Sequence, residues 1–230
     1  MKSKVYKYLI GIDEVGRGPL AGPVAVGAFL IPVANLDKVR CIFRGVKESK
    51  QLNESRREVW FSIIQNAQRD GLVDFKVTFQ SEKIIDGHGL SFAIRSALAR
   101  SIGGLRAGSG LRKLGGVRDK GRPINPIQSK VLLDGGLKAP IEYVNQKTII
   151  KGDEKEMVIA LASICAKVLR DRKLVKFAKR YPHYSFDVHK GYGTRAHYSA
   201  IKKHGVCPIH RRSFLKSKRY FVAIGATDRN

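Results

Sequence analysis

Between Met157 and Val168 the chain carries almost nothing but apolar side chains, interrupted only by Ser163 and Lys167. A helix that is apolar all round has no face to offer water and has to be enclosed by other elements. The stretch therefore predicts a buried helix. It continues as an amphipathic one through Leu174, Phe177 and Ala178, with lysines opposite, and Tyr181-Pro182 stops it. A chain of 230 residues with 43% hydrophobic content can build one substantial core around such a helix. One main domain over residues 1–180 is expected, with residues 181–230 as a small helical appendage rather than a second core.

The elements that could do the enclosing are legible from periodicity. Val5 to Ile12 reads as a strand, and Val24 to Ile31, beyond a Gly/Pro turn, as its hairpin partner. A helix begins near Asn53 and carries Val59, Trp60, Ile63 and Ile64 at helical spacing. Phe75 to Phe79 returns as a strand, and Ser91 to Ile102 reads as a helix. Lys130 to Leu133 and Gln146 to Ile150 are short apolar strands, which lead into Asp134-Gly135-Gly136 and Lys151-Gly152-Asp153, so each is expected to deliver a carboxylate into a turn. A last short helix runs from about Thr194 to His204. Residues 103–126 differ from all of these: glycines repeat, and Arg106, Arg112, Lys113, Arg118, Lys120 and Arg122 face only one acid, Asp119. That composition reads as a mobile basic loop.

Charge narrows the partner. Lys and Arg number 44 against 19 acids, a formal net charge of +25, and the natural counter-charge is a polyphosphate or an anionic membrane. Nucleic acid is the leading reading, with a solvated basic surface as the alternative. The uncharged run from Leu20 to Leu36 is punctuated by Gly22, Pro23, Gly27, Pro32 and Asn35, which suit strands and turns better than a spanning helix. Lys2 and Lys4 precede an apolar run that stops at Asp13 and Glu14, unlike a secretory signal. A cytoplasmic protein with no membrane association is expected. Cys41, Cys165 and Cys207 are widely spaced and read as ordinary thiols.

Several motifs fall away on context. Gly16-Arg17-Gly18-Pro19-Leu20-Ala21 has the spacing of a dinucleotide loop, but Pro23 and a β-rich run follow where a helix must open. Ser163 and Lys167 are at i, i+4, not the spacing of a serine acyl enzyme, and also read as helix packing plus a surface lysine. The six histidines form no zinc pattern and read as polar surface or turn residues. Carboxylates remain, and they are ligands for hard cations such as Mg²⁺ or Mn²⁺. Asp13-Glu14 closes a strand and Asp134 precedes two glycines. Asp153, with Glu156 three residues on, fits either a metal ligand or a variant capping box for the buried helix.

At this point a resemblance enters. Gly11-Ile12-Asp13-Glu14-Val15-Gly16-Arg17-Gly18-Pro19-Leu20-Ala21-Gly22-Pro23 resembles the opening signature of the ribonuclease HII family. The likeness continues through Ser49-Lys50-Gln51-Leu52, Val131 to Gly135, Lys151-Gly152-Asp153, Ala162 to Asp171, His189 to Thr194 and His210 to Phe214. It implies an α/β chain with an RNase H-like fold, a mixed central sheet flanked by helices with a helical C-terminal part closing over the substrate. It also implies metal-ligand roles for Asp13, Glu14, Asp134 and Asp153, with Asp13 as the bridging ligand. Substrate-binding roles follow for Gly16, Arg17 and Gly18, which would read a ribose 2′-OH by close backbone approach, and for Ser49, Lys50, Ser163, Lys167 and Arg170. Tyr192 would pack on the next sugar downstream, or else cover core as a turn tyrosine. Adjacent strand residues point to opposite faces, so Glu14 can join Asp13 only if the strand ends or bends there.

The implied activity is an endonuclease hydrolysing the RNA strand of RNA/DNA hybrids and cutting 5′ of ribonucleotides embedded in duplex DNA. Two ions, Mn²⁺ or Mg²⁺, roughly 4 Å apart would clamp the scissile phosphate, leaving 3′-OH and 5′-phosphate ends. Ribonucleotide removal and primer processing in DNA replication and repair would be its roles, acting as a monomer. Glu48, Ala160-Leu161 and the longer basic loop depart from the family pattern and bear on substrate positioning. The extra N-terminal domain of ribonuclease HIII is not seen, nor a clamp-binding motif in residues 223–230. The rivals are a non-catalytic hybrid-binding protein and another two-metal nuclease or integrase on the same fold.

Overall fold

The computed structural model describes residues 6–46, 52–108, 110–111, 118–119 and 121–215. The first two strands, β1 (Tyr8–Val15) and β2 (Val24–Pro32), form the expected antiparallel hairpin. The helices α1 (Leu36–Ile42) and α2 (Glu54–Arg69) follow, and the Asn53 side chain caps α2 by accepting the Arg56 amide at 2.9 Å. Next come β3 (Asp74–Gln80), α3 (Glu82–His88) and α4 (Leu90–Gly103). After the segment described below, β8 (Ser129–Asp134) and β9 (Gln146–Ile149) complete one five-stranded sheet in the order β3-β2-β1-β8-β9. The pairings β3-β2 and β2-β1 are antiparallel, and β1-β8 and β8-β9 are parallel, so the sheet is mixed.

Period-two alternation sorts the strands' side chains onto two faces. Ile10, Ile12, Val24, Val26, Ala28 and Leu30 bury against α4 and Ile85 of α3. Phe29 and Ile31 bury on the other face, against α1, α2 and α6 (Met157–Arg180), the helix that the apolar run anticipated. Two glycines let that helix lie directly on the sheet. A β-carbon on Gly11 would stand 2.2 Å from the Val158 carbonyl oxygen, and one on Gly27 2.4 Å from that of Ala162. Val158 and Ala162 are one turn apart on α6, so both contacts fix the same helix face and the height of Ser163 above the sheet.

Three expectations are corrected. The first strand does not stop at Ile12 but runs to Val15, so Asp13 and Glu14 both belong to the ladder with β2. Asp153 is not in a turn and does not cap α6. It lies in the four-residue helix α5 (Gly152–Lys155), and Glu156 occupies the α6 N-cap position. The 103–126 segment is not an irregular loop, because its described parts form nested antiparallel pairs, β4 (Arg106–Ala107) with β7 (Arg122–Pro123) and β5 (Gly110–Leu111) with β6 (Arg118–Asp119). Two-residue strands are too short to leave a period in the sequence.

Beyond α6 come α7 (Phe186–His189), α8 (Arg195–His204) and α9 (Arg212–Leu215). They bury Tyr184, Phe186, Ile201, Ile209 and Leu215 with Leu174 of α6 and with Leu20 and Ala21 from the β1–β2 connection. This third cluster also contradicts the expectation for the histidines: His189, His197 and His210 are buried. Among the described residues no helix is long and apolar enough to cross a membrane.

Candidate active site

Parallel pairing of β1 with β8 ends at Ile12↔Leu133, so Asp13 and Asp134 project side by side from the end of that ladder. They open into a cavity of about 260 Å³ lined also by Glu14, Asp153, Ser163, Lys167 and Arg57. Glu14 reaches this cavity although β1 is still a strand there, because no β8 residue pairs beyond Ile12 and the sheet rim is open on that side. β9 brings in the fourth acid. It ends at Ile149, next to Asp134 in the parallel register, and the chain then turns into α5, whose first amide, on Gly152, donates to Asp134 Oδ1 at 2.6 Å. Asp153 follows immediately and is buried.

The electrostatics of the cavity are unbalanced. Burial pushes the Asp13 carboxyl up to about 8. A hydrogen bond from Ser163 opposes the rise, and the neighbouring Glu14, Asp134 and Asp153 carboxylates add to it. Burial also raises Glu14, against the pull of Arg17, whose Nη1 donates to Glu14 Oε1 at 2.7 Å. The other oxygen, Glu14 Oε2, is buried with no hydrogen-bond partner. Among the described residues no three His, Cys, Asp or Glu side chains form a ready-made ion cage, although the four carboxylates line one cavity. Their chemistry fits a hard divalent cation: every donor is a carboxylate oxygen, one is buried unsatisfied, and a cation would offset the burial that raises Asp13 and Glu14.

Lys167 reaches the cavity from α6, one turn beyond Ser163, with its ammonium held by Asp171 at 2.8 Å. The cations Arg57, Arg95 and Lys138 were not picked out from the sequence, where nothing separates them from other basic residues. Arg57 lines the carboxylate cavity. Arg95 and Lys138 join Arg17 around an adjoining depression of about 240 Å³.

Gly16, Arg17 and Gly18 follow Val15, the last residue of β1. Gly16 has φ +90°, and a β-carbon there would meet Arg170 Nε at 2.3 Å, so both the conformation and the contact call for glycine. Tyr192 faces this loop: a β-carbon on Gly18 would lie 4.0 Å from the tyrosine ring, which is 42% exposed. Arg170, expected to touch substrate, is corrected. It is fully buried beneath the loop, and its guanidinium donates to the carbonyls of Pro23 at 2.9 Å and Lys190 at 3.1 Å. Ser49 and Lys50 lie outside the described residues.

Comparison with known proteins places this geometry. A family model described as ribonuclease HII matches residues 10–217. A ribonuclease HII of Endomicrobium trichonymphae is 38% identical over 212 residues, covering 92% of this chain and 87% of the relative. Among solved structures, the ribonuclease H2 of Pyrococcus horikoshii OT3 superposes with a TM-score of 0.66 at 24% identity, over 95% of this chain and 97% of that one. Bst-RNase HIII in complex with Mn²⁺ superposes at 0.57 and 16% identity, over 96% and 70%. These two structural likenesses bear on the fold, which is RNase H-like.

Proposed function

The chain belongs to the ribonuclease HII family, and from that premise we propose how its residues select and cut a strand. It is a type 2 ribonuclease H, an endonuclease acting on RNA strands. Divalent metal use is in keeping with the Mn²⁺ held by the structurally similar Bst-RNase HIII. Asp13, Glu14, Asp134 and Asp153 hold the cation, and the observation that carries this reading is that all four line one cavity in which Glu14 Oε2 is buried without a partner. Held by those four residues, Mn²⁺ or Mg²⁺, as two ions in the substrate complex, would supply activation of a water and charge neutralisation at the leaving oxygen.

The protein's own groups do the selecting. Gly16 and Gly18 let the strand approach the backbone closely enough for its amides to reach a ribose 2′-OH, the one group that marks RNA at a given sugar. The exposed Tyr192 ring packs on the following deoxyribose. Arg17, Arg95 and Lys138 face flanking phosphates, as do Arg106 and Arg122 of the β4–β7 pair, adding affinity without sequence preference. Residues 181–230 act as the part that carries Tyr192 to the duplex, on the catalytic body of residues 1–180. Because the reader stands at a fixed distance from the carboxylates, the cut falls 5′ of the last ribonucleotide before DNA resumes, and one embedded ribonucleotide suffices. The products carry 3′-OH and 5′-phosphate ends, which suits removal of ribonucleotides and primers from DNA in the cytoplasm.

Three duplexes test this: one embedded ribonucleotide, its 2′-O-methyl analogue, and all DNA. Only the first is expected to be cut, at a single position. Equal cleavage of all three would sink the 2′-OH reading, and a cyclic phosphate product would rule out attack by external water.

A further inference from the structure

The two elements that face each other across the reading cleft are held from behind by neighbouring residues. Arg211 is fully buried, and its guanidinium donates to Gly16 O at 2.7 Å, Arg17 O at 2.9 Å and Gly22 O at 2.9 Å. Its own amide donates to Leu20 O at 2.8 Å. One side chain and one amide thus take up four carbonyls of the Gly16–Gly22 segment. With those carbonyls turned inward, the loop's backbone conformation is fixed on its outer side.

His210, the preceding residue, holds the other element through a relay. The Cys207 amide donates to His210 Nδ1 at 2.9 Å, which places the imidazole proton on Nε2. That nitrogen lies 3.1 Å from His197 Nε2, so His197 accepts there and carries its own proton on Nδ1. His197 Nδ1 in turn donates to the Tyr192 carbonyl at 2.8 Å. His197 is fully buried and stacks on His189 at 4.3 Å between ring centroids, and the His189 Nδ1 accepts the Gly191 amide at 3.1 Å. The two residues 210 and 211 therefore grip both walls of the cleft at once, one through three direct bonds and one through a second imidazole.

We propose that His210 and Arg211 are a positioning pair that sets the separation between the Gly16–Gly18 backbone and Tyr192, and so determines which phosphate is cut and how strongly an RNA–DNA junction is preferred over continuous hybrid. The proposal rests on the reading that those two walls sense adjacent sugars. Neither residue touches substrate. The pair acts because a small change in wall spacing moves two sugar contacts relative to the carboxylates, while a continuous hybrid offers a 2′-OH in every register and tolerates the change.

The test compares wild type, Arg211→Lys, His197→Phe and Tyr192→Ala, each first shown to be folded by its thermal transition, on two substrates: a run of ribonucleotides joined to DNA, and continuous hybrid. Lysine cannot bridge three carbonyls, and phenylalanine keeps the ring stack but not the bond to Tyr192. Both positioning variants should spread the cut over neighbouring phosphates. Their junction-to-hybrid ratio should fall by about tenfold, the scale of one buried hydrogen bond. An unchanged cut position, or equal losses on both substrates, overturns the proposal. If Arg211→Lys does not fold, His197→Phe decides alone. Failure of the underlying reading looks different, since wild type would then show no junction preference for any variant to lose. If wild type and Tyr192→Ala behave as that reading requires while the other two match wild type, only the positioning role falls.

Discussion

The carboxylate cavity and the cleft proposed to read the sugar sit side by side on the same chain segment, yet their electrostatics are opposite. In the cavity, like charges crowd together, Asp13 is pushed up to about 8 by burial, and Glu14 Oε2 has no partner. In the cleft's support, two buried guanidiniums meet backbone carbonyls and three buried imidazoles are neutral and packed against one another. We read the first region as left unfinished for a cation and the second as finished before substrate arrives. Chemistry and selectivity are thereby separable, and substitutions in the two regions should fail in different ways.

The largest effect is expected where the unfinished region loses a donor. Asp134→Asn should abolish cleavage with Mg²⁺ or Mn²⁺ while hybrid affinity stays within a few-fold, because the basic surface is untouched; a near wild-type rate would remove Asp134 from the site. Asp153→Asn should likewise lower turnover in a protein whose stability changes by no more than about 1 kcal/mol, the scale of a lost helix cap. A stability loss with turnover intact would instead make Asp153 structural.

An intermediate effect probes the finished region. Burial lowers His197 and His210 from the usual 6.5 to about 4, opposed at His197 by its bond to the Tyr192 carbonyl, and burial lowers His189 as well. Cys207, Tyr184 and Phe186 pack around them, and Arg211 adjoins. The unfolded chain takes up protons more readily than the folded one, so this contribution is fully present above pH 6.5 and is lost as pH falls from 6.5 towards 4. Its size is on the order of 3 kcal/mol for each of His197 and His210. Denaturant unfolding at stepped pH should show this loss in wild type and a shallower one in His197→Phe. Equal slopes would mean that His197 does not resist protonation.

The smallest effect concerns neither region but the surface around them. Replacing Arg95 and Lys138 with alanine, and separately neutralising the basic residues of the ribbon, should each shallow the slope of log affinity against log salt by roughly one unit for every phosphate that is no longer neutralised. An unchanged slope would take that group out of the duplex interface.

The unfinished region was the more legible in the sequence. Carboxylates at the ends of apolar runs stand out, and Asp13 and Asp134 could be placed from strand period alone. Even so, the period did not show that β1 passes through Glu14 to Val15, since pairing with β2 rather than composition sustains the strand. Nor did it show that Asp153 sits in a helix of its own, entered through Lys151 at φ 55°. The finished region left almost no signal. Arg170 and Arg211 take backbone carbonyls as partners, and every residue has one of those, so no complementary acid marks the pair. Likewise the histidines are spaced for no ligand pattern because they bind one another and the main chain.

The bond from Arg211 to Gly16 spans 195 positions of sequence. Synthesis runs from the N-terminus, so the loop at Gly16 is made long before the arginine that secures it. All four acids are present once residue 153 has emerged, whereas the arginine that fixes the loop comes 58 residues later. A nascent chain in that interval holds all four acids while the Gly16–Gly18 loop still lacks Arg211. Contacts of such long range also close slowly, since a large loop has to be brought together before any bond forms. The proposed sugar reading is therefore secured late in folding, once Arg211 has reached Gly16.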